Sequence, residues 1–512
     1  MLIGLDIGTS SSKGVAIDDR GRVVASASES YDFERPRAGW SEHDPAGWWV
    51  AARAVVARLV RDVGPLEIRG LGVSGQMHGS VFLDRESVER AGSEEVRAIR
   101  PALMWNDQRT GAQCERLADR LGGVGSVIRL VGNAPRTGFT LPKVMWLRDE
   151  EPDAFARLAR VINPKDFVVL QMTGACSTDV GDASGVLAFD VASRSWSREV
   201  LDAVGLDPSL MPEVLESGAV AGRVTSWASE QTGVPEGVPV VAGSGDNQCG
   251  AIGAGIARVG LMLATLGTSG VIYAHADEPR LDLPLGRVHT MCSATGDGHA
   301  RGGWCNTGCT LSAAGALRWA HEMIGGGASM EELLEEASRV PPGCEGLVFA
   351  PHLTGERCPY PDPRASGAWV GLTLRHTRGH LVRAVLEGVT FTMASILDIV
   401  RSLPTEVSEI RLGGGGNRSA LWRQMQADVY GQPVSVLNAE EGPAYGAALL
   451  AGVGVGAWGS VSEACDATIR VVETIDPSAV APRYEEAKRV HAGLYAHLRD
   501  DMHALARART GE

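Results

Sequence analysis

Two loops in this chain are near-copies of one another: Asp6-Ile7-Gly8-Thr9-Ser10 close to the N-terminus and Thr265-Leu266-Gly267-Thr268-Ser269 just past the middle. Each follows an apolar run that reads as a strand, residues 2–5 and 260–264, so glycine and small hydroxyl residues stand where backbone N–H groups wrap a phosphate. A single Gly-Thr-Ser triplet is most often an ordinary turn. Two in matching strand contexts point to two related half-molecules facing one nucleotide.

A chain of 512 residues is too long for one core and suits two to four domains. With 44% hydrophobic and 21% charged residues it reads as globular, and no apolar run is long and charge-free enough to span a membrane. The first residues read directly as a strand, with no signal peptide, and the nine cysteines are irregularly spaced, which fits reduced thiols in a cytoplasmic protein. Cys305 and Cys309 are expected to face one another on a helix, as buried small hydrophobes in preference to zinc ligands, since zinc takes four. The net charge of −14 argues against a nucleic-acid footprint. Lysine occurs only at positions 13, 143, 165 and 488, which leaves Lys13, beside the first loop, as the candidate to reach a phosphate.

Strands and helices alternate along the chain, which gives an α/β architecture. Residues 2–27 read as strand, loop, strand and strand around the turn Asp18-Asp19-Arg20-Gly21, followed by a helix over 45–60 and a strand over 68–73. A strand over 238–242 ends in Gly243-Ser244-Gly245-Asp246-Asn247, and the domain boundary falls near 245–258, dividing the chain into 1–245 and 246–512. In the second part a helix spans 380–403, a strand spans 410–412, and helices cover 419–430 and 484–505.

Asp6 and Asp246 both stand at strand ends beside glycines, in equivalent places in the two halves. A carboxylate there is costly unless something pairs with it, so one is read as holding a divalent metal or its water shell and the other as accepting a proton. Each alone is equally well a turn-stabilising aspartate. The glycine run 413–416 bares the backbone for a planar ring or ribose, with Asn417 placed to hydrogen-bond it, although a flexible turn is the plainer reading. Gln76-Met77-His78-Gly79 and Trp105-Asn106-Asp107-Gln108-Arg109 gather hydrogen-bonding groups beside an aromatic wall, as a polyhydroxylated substrate requires.

Taken together these residues resemble the FGGY carbohydrate kinases, which share the actin-like ATPase fold with hexokinases, glycerol kinase and the large heat-shock ATPases. The resemblance covers essentially the whole chain. It includes a first signature at Gly138-Phe139-Thr140-Leu141-Pro142-Lys143-Val144-Met145-Trp146-Leu147-Arg148-Asp149-Glu150. A second runs Gly367-Ala368-Trp369-Val370-Gly371-Leu372, then seven residues, then His380-Leu381-Val382-Arg383-Ala384-Val385-Leu386-Glu387. Within the family, Gln76 to Gly79, the Trp105 to Arg109 motif and Trp40-Ser41-Glu42-His43-Asp44-Pro45 look like the members that act on D-xylulose.

The resemblance implies two ribonuclease-H-like domains with a cleft between them, closing on a hinge, and ATP-dependent phosphorylation of D-xylulose at its terminal hydroxyl. On that implication Asp246 is the base, and Gln76, Met77, His78, Trp105, Asp107 and Asn247 surround the sugar. Asp6 governs Mg²⁺; Thr9, Ser10, Lys13, Gly267 and Thr268 serve the phosphates; Gly414 and Asn417 serve the adenosine. Members are often dimers, so a homodimer is expected. The chain departs from the usual Gly-Gly-Gly-Asp-Asn-Ala-Ala at Ser244, Gln248 and Cys249, and its 304–310 segment is unusual. Kinases for ribulose or a pentitol stay open as alternatives, as does a non-catalytic nucleotide switch of the same fold.

Overall fold

The computed structural model describes residues 1–438 and 442–510. They form two compact units, each drawn from separate stretches of chain. The first takes Met1–Arg258, His275–Cys305 and the described part of Glu441–Arg470; the second takes Val259–Ala274 and the described parts of Asn306–Glu440 and Val471–Glu512.

In the first unit the strands run in the order Val220–Arg223, Pro239–Val241, Gly70–Gly75, Leu2–Ile7, Ser11–Ile17, Val23–Ser30, and Ser244–Gly245 also pairs with Gly70–Gly75. Leu2–Ile7 is antiparallel to Ser11–Ile17, which sets Asp6 opposite Lys13, and parallel to Gly70–Gly75, which sets Asp6 beside Ser74. These central strands are covered on both faces, hence their unbroken apolar runs. Helix Pro45–Val63 covers one face; Asp44 caps it, its side chain accepting from the Ala46 N–H, and Pro45 begins it. Helix Gly442–Gly454 lies on the other face, so close that a Cβ at Gly4 would run into the Ala444 carbonyl. This contact joins residues far apart in sequence and explains why the chain returns to the first unit.

The second unit repeats the plan. Strand Gly260–Leu266 is antiparallel to Gly270–Ala276 and parallel to Val407–Gly413, beyond which lie Val434–Leu437 and Val471–Ile475. Helix Arg378–Ser402 is buried through most of its length. On it Arg383 and Glu387 pair at 2.7 Å, and Arg383 donates to the Tyr484 hydroxyl at 2.8 Å, so the polar residues of the second signature hold this unit's core.

Two expectations change. Cys305 and Cys309 lie on the strand Trp304–Thr310, where positions four apart are roughly 13 Å distant instead of one helical turn. Asp246 stands at the end of a strand paired in the first sheet, the sheet that carries Asp6, so the two carboxylates are not equivalents in the two halves. The counterpart of Asp6 in the second sheet is Thr265, which sits beside Gly413 on the parallel neighbour. No disulfide is present, and no helix is long and apolar enough to cross a membrane, among the described residues.

Candidate active site

The first glycine loop is tied to its surroundings at every turn. The Gly8 N–H donates to the Ser11 carbonyl at 3.0 Å, while the Gly8 carbonyl accepts from the Tyr31 hydroxyl at 2.6 Å and from Gln76 Nε2 at 3.2 Å. Trp105 Nε1 donates to Thr9 Oγ1 at 3.0 Å. Gln76 and Trp105 therefore link the expected sugar side to the expected phosphate loop. Ser10 and Lys13 are exposed, and the Lys13 charge acts on Asp6.

Gln76, Met77 and His78 leave the end of strand Gly70–Gly75, and His78 has φ 65°, a left-handed conformation that a non-glycine residue holds only under constraint. The Lys143 ammonium supplies one constraint, donating to the carbonyls of His78 and Gly138 at 2.7 Å each and of Leu103 at 3.2 Å. Thr140 adds a hydroxyl to the His78 carbonyl at 3.2 Å, and the Phe139 ring meets the His78 ring edge-on at 4.3 Å. Burial lowers the Lys143 pKa to about 7, Asp107 opposing the shift.

Asp246 opens helix Asp246–Gly253, and one of its oxygens accepts from the Asn247 N–H at 2.8 Å. The Asn247 amide nitrogen lies 3.9 Å from the Met77 sulfur. Burial, then repulsion from Asp6, pushes the Asp246 pKa up to about 7. Burial likewise raises Asp6 to about 6, with Ser74 and Lys13 opposing, and Asp6 Oδ1 has no hydrogen-bond partner among the described residues. Two carboxylates thus feel one another at the ends of strands that both pair with Gly70–Gly75. Either releases its proton near neutrality, the range in which a general base works best.

Asp107 is placed differently. It is fully buried, accepts from the Ser41 N–H at 2.7 Å and takes a forked contact from Arg109. The Arg109 guanidinium lies 3.6 Å from the Trp40 ring centroid and 4.7 Å from that of Trp146, and it pairs with Glu42 at 2.7 Å. Asp107 therefore meets the site through a packed cation and its aromatic walls.

In the second unit the Gly267 and Thr268 carbonyls accept from the Ala314 and Ala313 N–H groups at 2.8 and 2.9 Å, which pins the loop to the start of helix Ala314–Ile324. Gly414 has φ 83°, and a Cβ there would stand 2.7 Å from the Leu266 carbonyl, so the glycine run presses directly on this loop. Asn417 turns back on its own segment, donating to the Gly413 carbonyl and accepting from Gln426 Nε2 at 2.6 Å.

Two family models match consecutive stretches of the chain, and the second of them takes in 275–305, which folds with the first unit. The model of the FGGY family of carbohydrate kinases, N-terminal domain, matches residues 1–253, and that of the C-terminal domain matches 262–455. The chain belongs to the FGGY family. It is 34% identical to the xylulose kinase of Bacillus subtilis, covering 98% of each chain. Against the xylulose kinase of Escherichia coli the identity is 37% over 88% of this chain and 89% of that one. The crystal structure of xylulose kinase from Rhodospirillum rubrum matches with a TM-score of 0.88 at 30% identity, covering 98% of this chain and 99% of that one.

The first FGGY signature thereby gains a physical reading: Phe139, Thr140 and Lys143 hold the strained His78 turn. One group of functional candidates escaped sequence reasoning. Lys165 is fully buried and pairs with Asp166 at 2.6 Å, Asp179 at 3.1 Å and Asp182 at 3.6 Å. Burial works against its charge, but the three carboxylates outweigh it and raise the pKa. The scarcity of lysine was the available signal, since Lys143 and Lys165 are among four in the chain. Ser244, one of the departures, belongs to the same cluster and donates to Asp179 at 2.6 Å.

Proposed function

We propose that the chain transfers the γ-phosphoryl group of ATP to the terminal hydroxyl of D-xylulose, giving D-xylulose 5-phosphate and ADP. The observation that carries this reading is that Asn247, which donates its N–H to Asp246, brings its amide within 3.9 Å of the Met77 sulfur, beside a carboxylate, Asp246, whose pKa stands near 7. Asp246 takes the proton of the terminal hydroxyl as that oxygen bonds to the γ-phosphorus and the bond from phosphorus to the ADP oxygen breaks. Gln76, Met77, His78, Trp105 and Asn247 orient the sugar, and Asp107 keeps the Arg109 and Trp40 wall in place. Thr9, Ser10, Lys13, Gly267 and Thr268 serve the phosphates, while the bare backbone at Gly414 receives the adenosine and Asn417 holds that turn in shape. Such transfer asks the protein mainly for positioning and charge stabilisation.

Mg²⁺ fits Asp6, an unpartnered carboxylate oxygen beside a second carboxylate, because this ion takes one or two carboxylates and completes its shell with water and phosphate. When bound, the ion offsets phosphate charge. The test is ADP release with Mg-ATP against D-xylulose, D-ribulose, L-ribulose, L-xylulose, the pentitols and glycerol. D-xylulose is expected to lead in kcat/KM by about tenfold or more. Another polyol in the lead would overturn the sugar assignment, and no stimulation by any polyol would overturn the kinase reading.

A further inference from the structure

Asp182 is 1% exposed, and neither of its carboxylate oxygens has a hydrogen-bond partner among the described residues. Its one ion pair, to Lys165, is long at 3.6 Å. Its neighbours are provided for. Asp179 accepts from Ser217 at 2.7 Å, Ser244 at 2.6 Å and the Gly181 N–H at 2.9 Å, and Asp166 accepts from Lys165 at 2.6 Å and the Asn163 N–H at 3.0 Å. A buried carboxylate without donors is costly to fold around, and burial, with Lys165 opposing and Asp166 adding to it, pushes the Asp182 pKa well up.

The place of Asp182 says what the missing donor is. A Cβ added to Gly245, the residue before Asp246, would lie 3.0 Å from Asp182 Oδ1 and 2.9 Å from the Met77 sulfur. The short helix Val180–Ser184 that carries Asp182 ends at Gly185, whose carbonyl lies 3.2 Å from His78 Nδ1. Asp182 and Met77 thus border the same side-chain-free residue, next to Asp246 in the chain, and His78 reaches the end of the helix that carries Asp182.

We infer that Asp182 is a substrate-binding carboxylate that accepts a hydrogen bond from a secondary hydroxyl of the polyol, close to the hydroxyl that is phosphorylated. This rests on the proposed function's placement of the sugar beside Met77 and Asp246. Lys165, Asp179 and Ser244 act through Asp182 as positioning residues. A carboxylate that needs a hydroxyl donor at one place discriminates between sugars that differ in the configuration of that carbon. The competing account makes Asp182 a counterion for Lys165, but Asp166 and Asp179 are closer and remain when Asp182 is replaced.

The test uses the full chain with Asp182→Asn and Asp182→Ala, assayed with Mg-ATP on D-xylulose and on D-ribulose, its epimer at carbon 3, together with melting temperatures. Expected are a KM for D-xylulose raised about tenfold or more in the alanine variant, a smaller rise in the asparagine variant, and an unchanged KM for ATP. The preference between the epimers should shrink, and neither variant should melt below the wild type. A fall in melting temperature with preference unchanged, or an equal loss for both ketoses, would overturn the inference. Wild-type turnover of ketoses lacking one secondary hydroxyl each keeps it open to refutation if the variants misfold: one such analogue must lose about fivefold or more in kcat/KM, and equal turnover of all refutes it. If the wild type prefers a different polyol, D-xylulose falls as the substrate while the Asp182 reading is judged on that polyol and its epimer. No turnover with any polyol overturns both.

Discussion

The loop that follows the strand parallel to the central one is Gln76-Met77-His78-Gly79 in the first unit and the glycine run ending at Asn417 in the second. The two sheets share their central pattern, an antiparallel neighbour on one side and a parallel one on the other. What differs is the chemistry at the strand ends. The first unit places side chains there, with a strained His78 and the carboxylates Asp6 and Asp246, whereas the second places Thr265 and bare backbone. A polyol needs directed hydrogen bonds, each worth about 1 to 3 kcal/mol when its partner is otherwise left unpaired, while a planar ring and phosphates need close backbone approach. On the proposed reading, one scaffold serves two kinds of ligand.

The sharpest way to break this comparison is Asp246→Asn. It should lower kcat by about a hundred- to ten-thousandfold while leaving D-xylulose binding close to wild type, checked by single-turnover kinetics and calorimetry. Near-normal turnover in a folded variant would remove the base from the first unit. Next in size, Gly414→Val should raise the KM for ATP strongly and leave D-xylulose binding intact. Its side chain meets the Leu266 carbonyl at a backbone φ of 83°, which glycine alone adopts freely. If the KM for the sugar rises equally, the division between the units fails.

Lys143→Met should act on the other side, raising the KM for the sugar and lowering the melting temperature, because the carbonyls of His78, Gly138 and Leu103 lose the ammonium that ties them together. The ATP KM should stay unchanged. The smallest effect concerns pH. Asp246 has its folded pKa raised from 3.8 to about 7, so the stability associated with its protonated form is complete in acid and is lost as pH rises toward and through about 7. Asp246→Asn should therefore melt a few degrees above the wild type at about pH 8, with the gap closing at about pH 4. Wild-type kcat/KM should fall on the acid side of about pH 7, where Asp246 takes up its proton.

The repeated loops and most strands and helices were legible because they are written in local periodicity and glycine placement. Helix 45–60 emerged as Pro45–Val63 and helix 380–403 as Arg378–Ser402. What was hidden depends on contacts distant in sequence. Asp246 enters the first sheet through a strand of two residues, too short to leave a pattern. Helix Gly442–Gly454 packs on helix Asp246–Gly253 by close approach of Gly446 to the Cys249 carbonyl, which no local signal encodes. The scarcity of lysine marked Lys165, but its three carboxylate partners stayed hidden, since buried charge pairs are recognisable only when both sides are seen. Cys305 and Cys309 misled because helical spacing was assumed for a strand.

Hydrogen exchange on the full chain with each ligand added separately tests the division of labour most directly. D-xylulose alone should slow exchange at 76–79 and 246–253 and leave 265–269 and 413–418 unchanged, and Mg-ADP alone should slow exchange at 265–269 and 413–418 and leave the backbone at 76–79 unchanged. Protection of the glycine run by D-xylulose, or of the His78 turn by the nucleotide alone, would contradict the account.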